Sequence, residues 1–124
     1  MENFSLSIII PTYKRNQKLK KIIYSITRQC PLSIKIEVII ISEINNGLQF
    51  FLNYPIKKKN IKFRVLTVRK NSNAIKRNKG IESAKGKYLI LLDDDCLPDP
   101  NFLKDYLNLF KNISCLLYTS PSPR

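Results

Sequence analysis

The stretch from residue 87 to residue 95 constrains the fold of this chain more than any other. A run of apolar residues, 88–92, begins shortly after Gly86 and leads directly into three adjacent carboxylates. A short apolar run with such boundaries predicts a buried strand. Strands that are apolar throughout are typical of parallel α/β sheets covered on both faces. We therefore expect this strand to be central in such a sheet.

The carboxylates that follow this strand are Asp93, Asp94 and Asp95. Adjacent carboxylates repel one another, and a hard divalent cation with a preference for oxygen ligands relieves that repulsion. Mg²⁺ usually keeps several waters and bridges to phosphates, so it needs only one or two protein carboxylates. The pattern predicts a metal-assisted phosphate or diphosphate site. A solvated acidic turn is the alternative interpretation.

Apolar patterning along the rest of the chain predicts an alternation of strands and helices. Strands are expected at residues 5–10, 34–41, 61–68 and 87–92. Helices are expected at residues 17–29, 48–53 and 71–85, and from Asp99 onward. The predicted class is α/β, with a Rossmann-like, mostly parallel sheet.

Local signals support three of the helices. Asn16 is expected to cap the first one, and Asp99 followed by Pro100 predicts the start of the last one. In the helix at 71–85, small and apolar side chains are expected to pack on the sheet. These are Ala74, Ile81 and Ala84.

Polar loops follow three of the four predicted strands, at residues 11–16, 42–43 and 93–95. The carboxyl ends of parallel strands lie at one edge of a sheet, where open α/β folds bind their ligands. No glycine-rich dinucleotide or P-loop motif is present, and the chain has only three glycines. Phosphate would therefore be held by a metal ion and by Lys or Arg.

The chain is strongly basic, with 22 Lys and Arg against 9 Asp and Glu and a net charge of +13. That balance permits nucleic acid, an anionic membrane surface or phosphorylated small molecules as partners. No RNA-binding signature accompanies the lysines, so a solvated surface is favoured and no nucleic acid is expected. With no apolar run of about 18 residues and no signal peptide, a cytoplasmic location is expected.

Four segments match a known pattern in order and spacing, over roughly residues 5–111. They are residues 7–15 (SIIIPTYKR), 37–41 (EVIII), 77–88 (RNKGIESAKGKY) and 92–95 (LDDD). Together they resemble the family 2 glycosyltransferases of GT-A fold, in which the last segment is the DxD element. The resemblance implies inverting, metal-dependent transfer of a sugar from a nucleotide-sugar donor to an acceptor hydroxyl.

The same resemblance implies the partners. They are a nucleotide-sugar donor, a glycan or lipid-linked acceptor in bacterial surface glycan synthesis, and Mg²⁺ or Mn²⁺. Peripheral association with the inner face of the plasma membrane is left open. The alternative function is a basic nucleic-acid-binding or non-catalytic nucleotide-binding α/β module.

The resemblance also implies roles for individual residues. The first loop would line the base and diphosphate, through Pro11, Thr12, Tyr13 and Arg15. Glu43 would contact the base, at a place where family members more often have Asp-Asp, and Arg77 would serve the nucleotide side. Of the carboxylates, Asp94 would approach the ribose and sugar, Asp93 the sugar or metal, and Asp95 the metal that bridges the diphosphate.

The last ten residues, 115–124, continue no element of the family pattern. They resemble a translated sequencing adapter and are expected to be non-native. The predicted domain is then residues 1–114, the nucleotide-sugar-binding part. The family's general base and acceptor site lie later in the chain, so no residue is assigned to them, and this piece alone is expected to be inactive.

Overall fold

The computed structural model describes residues 4–13, 16–43, 60–70, 72–95 and 97–117. The elements in chain order are β1 (Phe4–Pro11), α1 (Asn16–Gln29), β2 (Ile36–Glu43), β3 (Ile61–Val68), α2 (Asn73–Ser83), β4 (Gly86–Leu91) and α3 (Phe102–Leu117). The predicted helix at 48–53 lies outside the described residues. Within the described part of the chain, no helix has the length and apolarity required to cross a bilayer.

The strands form one sheet in the order β3-β2-β1-β4, and every pairing is parallel. Ile8 of β1 lies beside Val38 of β2 on one side and Ile90 of β4 on the other. The predicted parallel α/β sheet is therefore confirmed. Because the strands run in one direction, their carboxyl ends lie along one edge of the sheet.

Among the described helices, α1 and α3 cover one face of the sheet and α2 covers the other. The apolar stripe of α1 is buried together with alternate residues of β1 and with Leu103 of α3. The stripe consists of Leu19, Ile22, Ile23 and Ile26. Ile9, on the opposite face of β1, packs with Ile39 and Ile41 in a second cluster. Burying each such side chain contributes about 1.5–3 kcal/mol.

Helix α2 presents a different face to the sheet from the one predicted. Ala74 is exposed and Ile81 is 39% exposed, whereas Lys76 and Gly80 are buried. A Cβ at position 80 would lie 2.5 Å from Ile9 Cγ2, so the missing side chain permits a close approach of helix to sheet. Only Ala84 packs as expected, against the cluster around Ile9.

The start of α3 also differs from the prediction. Asp99 is not the cap of this helix: its Oδ1 accepts a hydrogen bond from Asn101 N at 2.7 Å, which is an Asx turn. Asp99 O also accepts from Phe102 N at 3.0 Å, so a tight turn precedes the helix. The helix consequently begins at Phe102 rather than at Pro100.

A buried carboxylate that the sequence analysis did not single out lies within the sheet. Glu37 of β2 is fully buried and accepts hydrogen bonds from Ser7 Oγ at 2.6 Å and from the backbone N–H of Lys85. Arg64 of β3 pairs with its other oxygen at 3.1 Å. These contacts join β1, β2 and β3 to the segment that enters β4.

Strand β4 is not central in the described sheet. It pairs with β1 alone, and Leu91 near its end is 51% exposed. Among the described strands, β4 therefore has one neighbour, and its central position stays a prediction. An apolar run by itself does not report how many strands are hydrogen-bonded to its backbone.

This exposed edge leads to a prediction about association. We expect the 124-residue chain to self-associate, because an apolar edge strand pairs readily with another chain. Leu91→Lys should shift the chain toward a monomer in size-exclusion chromatography with light scattering. Leu109→Lys, at an exposed position of α3, is the control for added charge. A monodisperse wild-type monomer would contradict the prediction.

Candidate functional site

The predicted site residues of β1 and β4 meet at the carboxyl edge of the sheet. Thr12 Oγ1 donates a hydrogen bond to Asp94 Oδ2 at 2.9 Å, and the backbone N–H of Tyr13 donates to the same oxygen at 3.1 Å. Asp94 therefore joins the loop after β4 to the loop after β1. Thr12 and Asp94, which this contact joins, are 82 residues apart in the sequence.

The residues of the first loop are exposed to different degrees. Pro11 and Thr12 are buried, with Thr12 only 1% exposed, so in this structure the Thr12 side chain holds Asp94. Tyr13 is 40% exposed and presents part of its ring to solvent. Arg15, which was predicted to line the diphosphate, lies outside the described residues.

A buried lysine lies beneath this loop. Lys76 of α2 is fully buried, and its Nζ donates to Thr12 O at 2.8 Å and to Glu43 Oε1 at 2.5 Å. The same nitrogen lies 5.3 Å from the centroid of the Tyr13 ring. One ammonium group thus holds together the ends of β1 and β2 and the first turn of α2.

Sequence reasoning missed Lys76 because lysines are rarely buried without a partner. The available signal was its spacing from Gly80. Position 80 is four residues after position 76, so the two positions lie on the same face of a helix. A glycine that permits close packing on the sheet therefore also marks the residue one turn earlier as an inward one.

Glu43 lies at the rim of the site, where its side chain is 19% exposed. One carboxylate oxygen faces Lys76, and an ionised carboxylate has about four acceptor positions in all. The group therefore retains acceptor capacity toward a ligand at the sheet edge.

Arg77 and Asp93 form an exposed ion pair on the other side of α2. Arg77 Nη2 lies 3.2 Å from Asp93 Oδ1, with side chains 42% and 58% exposed. Ion pairs this exposed contribute about 0–1 kcal/mol, so a ligand can separate them at little cost. Both predicted residues are thus near each other and accessible.

The carboxylates after β4 suit a metal ion only in a restricted way. Among the described residues, no group of three or more ligating side chains comes together. Asp94 accepts hydrogen bonds from Thr12 and Tyr13, Asp93 pairs with Arg77, and the side chains of Asp93 and Asp95 are exposed. Mg²⁺ often uses one or two carboxylates and completes its shell with waters and substrate phosphates. The donor set fits an ion completed by a bound diphosphate.

The fold and this edge define an α/β protein whose polar side chains converge at the carboxyl ends of parallel strands. The model of the family "Glycosyl transferase family 2" matches residues 7–120. The chain belongs to this family, as the resemblance of its motifs predicted.

Curated relatives cover most of the chain. It is 32% identical over 107 residues to the poly(ribitol-phosphate) beta-N-acetylglucosaminyltransferase TarP of Staphylococcus aureus. That match covers 86% of this chain and 33% of TarP. It is 29% identical over 104 residues to the glycosyltransferase AglE of Haloferax volcanii. That match covers 80% of this chain and 33% of AglE. The chain thus spans about a third of the length of these relatives.

Solved structures show the same fold. Residues 1–349 of S. aureus TarS match with a TM-score of 0.70 at 23% identity, over 88% of this chain and 33% of that one. The same TarS fragment has been solved in complex with UDP-GlcNAc and with UDP, and these structures match with TM-scores of 0.70 and 0.71. The predicted GT-A type of fold is confirmed.

Proposed function

We propose that this chain supplies the nucleotide-sugar-binding part of a transferase that moves a sugar from a nucleoside diphosphate donor to an acceptor hydroxyl. The observation that carries the proposal is the junction of Asp94 with Thr12 and Tyr13 at the carboxyl edge of the sheet. It brings the Tyr13 residue to the acidic loop, and Lys76 joins Glu43 to the same place. Membership of the family and the UDP-GlcNAc complex of TarS support the same interpretation.

Each residue of the edge has a role in this proposal. Tyr13 and Glu43 would bind the base, and Asp94 would approach the ribose and sugar. Arg77 would leave Asp93 and bind phosphate oxygens. Asp95, with Asp93, would hold Mg²⁺ or Mn²⁺, which supplies positive charge opposite the leaving diphosphate.

The transfer step needs one group that we do not assign in this chain. The acceptor hydroxyl attacks the anomeric carbon, the bond to the diphosphate breaks, and the hydroxyl proton passes to a general base. In the proposed inverting reaction, that base lies on the acceptor side, beyond the residues assigned here. We further propose a surface glycan or a lipid-linked glycan as acceptor, and a cytoplasmic location with peripheral contact at the plasma membrane.

The proposal is tested on the longest natural chain that contains residues 1–114. We expect a panel of nucleotide-sugars with Mn²⁺ to include one donor from which nucleoside diphosphate is released, and a chelator to stop the release. The basic nucleic-acid-binding alternative predicts a different result. The chain would then bind any duplex with an affinity that falls as salt rises and does not change with the chelator, and it would release no nucleoside diphosphate from any donor.

Tyr13 provides a more specific prediction. Tyr13→Ala should weaken nucleoside diphosphate binding about five- to hundredfold, because stacking of a base on an aromatic ring contributes about 1–3 kcal/mol. Its melting temperature should change little, since Tyr13 is 40% exposed. Isothermal titration and thermal melting measure the two effects.

Two further variants serve as controls for this prediction. Tyr13→Phe keeps the ring and should bind nearly as the wild type does. Tyr24→Ala removes a tyrosine that is 55% exposed on α1 and should leave affinity unchanged. A large fall in melting temperature with intact binding would show that Tyr13 serves packing instead.

A further inference from the structure

The buried ammonium of Lys76 calls for an explanation beyond stability. A buried charge is costly unless it is paired and hydrogen-bonded, and replacing a buried ion pair with apolar residues is often neutral or stabilising. A methionine of similar length would fill the same space on α2. The lysine is therefore better explained by what its contacts arrange than by the free energy of unfolding.

What it arranges are the two residues proposed to bind the base. Lys76 Nζ holds Glu43 Oε1 at 2.5 Å and lies 5.3 Å from the Tyr13 ring centroid. Its bond to Thr12 O, at 2.8 Å, anchors the backbone just before Tyr13. The carboxylate and the ring are thus oriented by a single group that is itself fully buried.

We propose that Lys76 is a positioning residue that determines which nucleobase the site accepts. It orients the Glu43 carboxylate as a hydrogen-bond acceptor beside the Tyr13 ring. An acceptor placed there favours bases that carry a ring N–H donor, namely uracil, thymine and guanine. Cytosine and adenine present a lone pair at the corresponding ring nitrogen and are disfavoured. This inference rests on the proposed nucleotide site.

The variant that tests it is Lys76→Met, which keeps the length of the side chain and removes the charge. Lys79→Met is the matched control, because Lys79 lies on the same helix and is exposed. The double variant Lys76→Met with Glu43→Gln removes both members of the pair. If the single variant unfolds because Glu43 is left without its buried cation, a folded double variant that still prefers UDP contradicts the inference.

The experiment titrates the longest natural chain that contains residues 1–114 with UDP, GDP, CDP, ADP and inorganic pyrophosphate in Mn²⁺. We expect the wild type and Lys79→Met to prefer UDP or GDP over CDP and ADP. Lys76→Met should lose that preference, with UDP affinity falling about ten- to hundredfold, as for loss of a hydrogen bond to a charged group. Pyrophosphate affinity should not change.

The outcomes separate this inference from the proposed function. If the wild type binds UDP selectively and Lys76→Met, or the folded double variant, keeps the same ratio of affinities, Lys76 has only a structural role. A wild type that prefers CDP or ADP also overturns the inference, while the proposed function stands. A wild type that binds no nucleoside diphosphate at all overturns both.

Discussion

Asp95→Ala is expected to abolish Mn²⁺-dependent binding of a nucleoside diphosphate. Asp95 is exposed in the acidic loop after β4, and it is the carboxylate that the resemblance to the family assigns to the metal. Loss of an outer-shell partner typically lowers metal affinity roughly 10–100-fold. Loss of a direct ligand should lower it at least as much. Isothermal titration with UDP, with and without Mn²⁺, measures the effect.

The metal prediction has a matched control in Glu82. This carboxylate is exposed in the last turn of α2, so Glu82→Ala removes the same charge from the surface without touching the acidic loop. It should leave Mn²⁺-dependent affinity unchanged, while residual metal-free binding should be similar in both variants. An Asp95→Ala protein with the full Mn²⁺-dependent affinity would exclude Asp95 as the ligand.

Gly86→Ala is expected to have the largest effect on stability. An added Cβ would lie 2.5 Å from Ser7 N and 2.6 Å from Leu6 C, which are backbone atoms of the neighbouring strand. These atoms cannot move aside without disturbing the β1–β4 ladder and the bond from Gly86 N to Ser7 Oγ. Overpacking of this kind costs about 1–3 kcal/mol or more.

The corresponding loss in melting temperature is roughly 5–20 °C for a domain of about 100 residues. Gly80→Ala should cost less, because its Cβ would meet the side chains of Ile9 and Ile41 and alanine favours the helix by about 1 kcal/mol. Lys85→Ala, at an exposed neighbouring position, should melt as the wild type does. If Gly86→Ala had the same melting temperature as Lys85→Ala, the close approach of position 86 to β1 would be disproved.

The sequence by itself determined the elements of this protein and the edge at which its polar loops converge. Strand and helix periodicities are local, so the stripe of α1 and the apolar runs of β1 and β2 could be predicted from their own residues. Parallel direction followed from the alternation of elements. That the loops after β1 and β4 lie at one edge then followed from geometry, because parallel strands end at the same edge. The contacts of Asp94 with Thr12 and Tyr13 depend in addition on the pairing of β1 with β4, which the sequence did not predict.

The tertiary structure alone decided which strand lies at an edge and which residues of α2 face the sheet. Strand β4 is as apolar as an internal strand, but its number of hydrogen-bonded neighbours depends on segments distant in sequence. Lys76 is buried because Glu43 and Thr12 O, from two other elements, neutralise and bond it, and Gly80 lets the helix approach. The energy of a buried charge depends on partners that no local pattern contains.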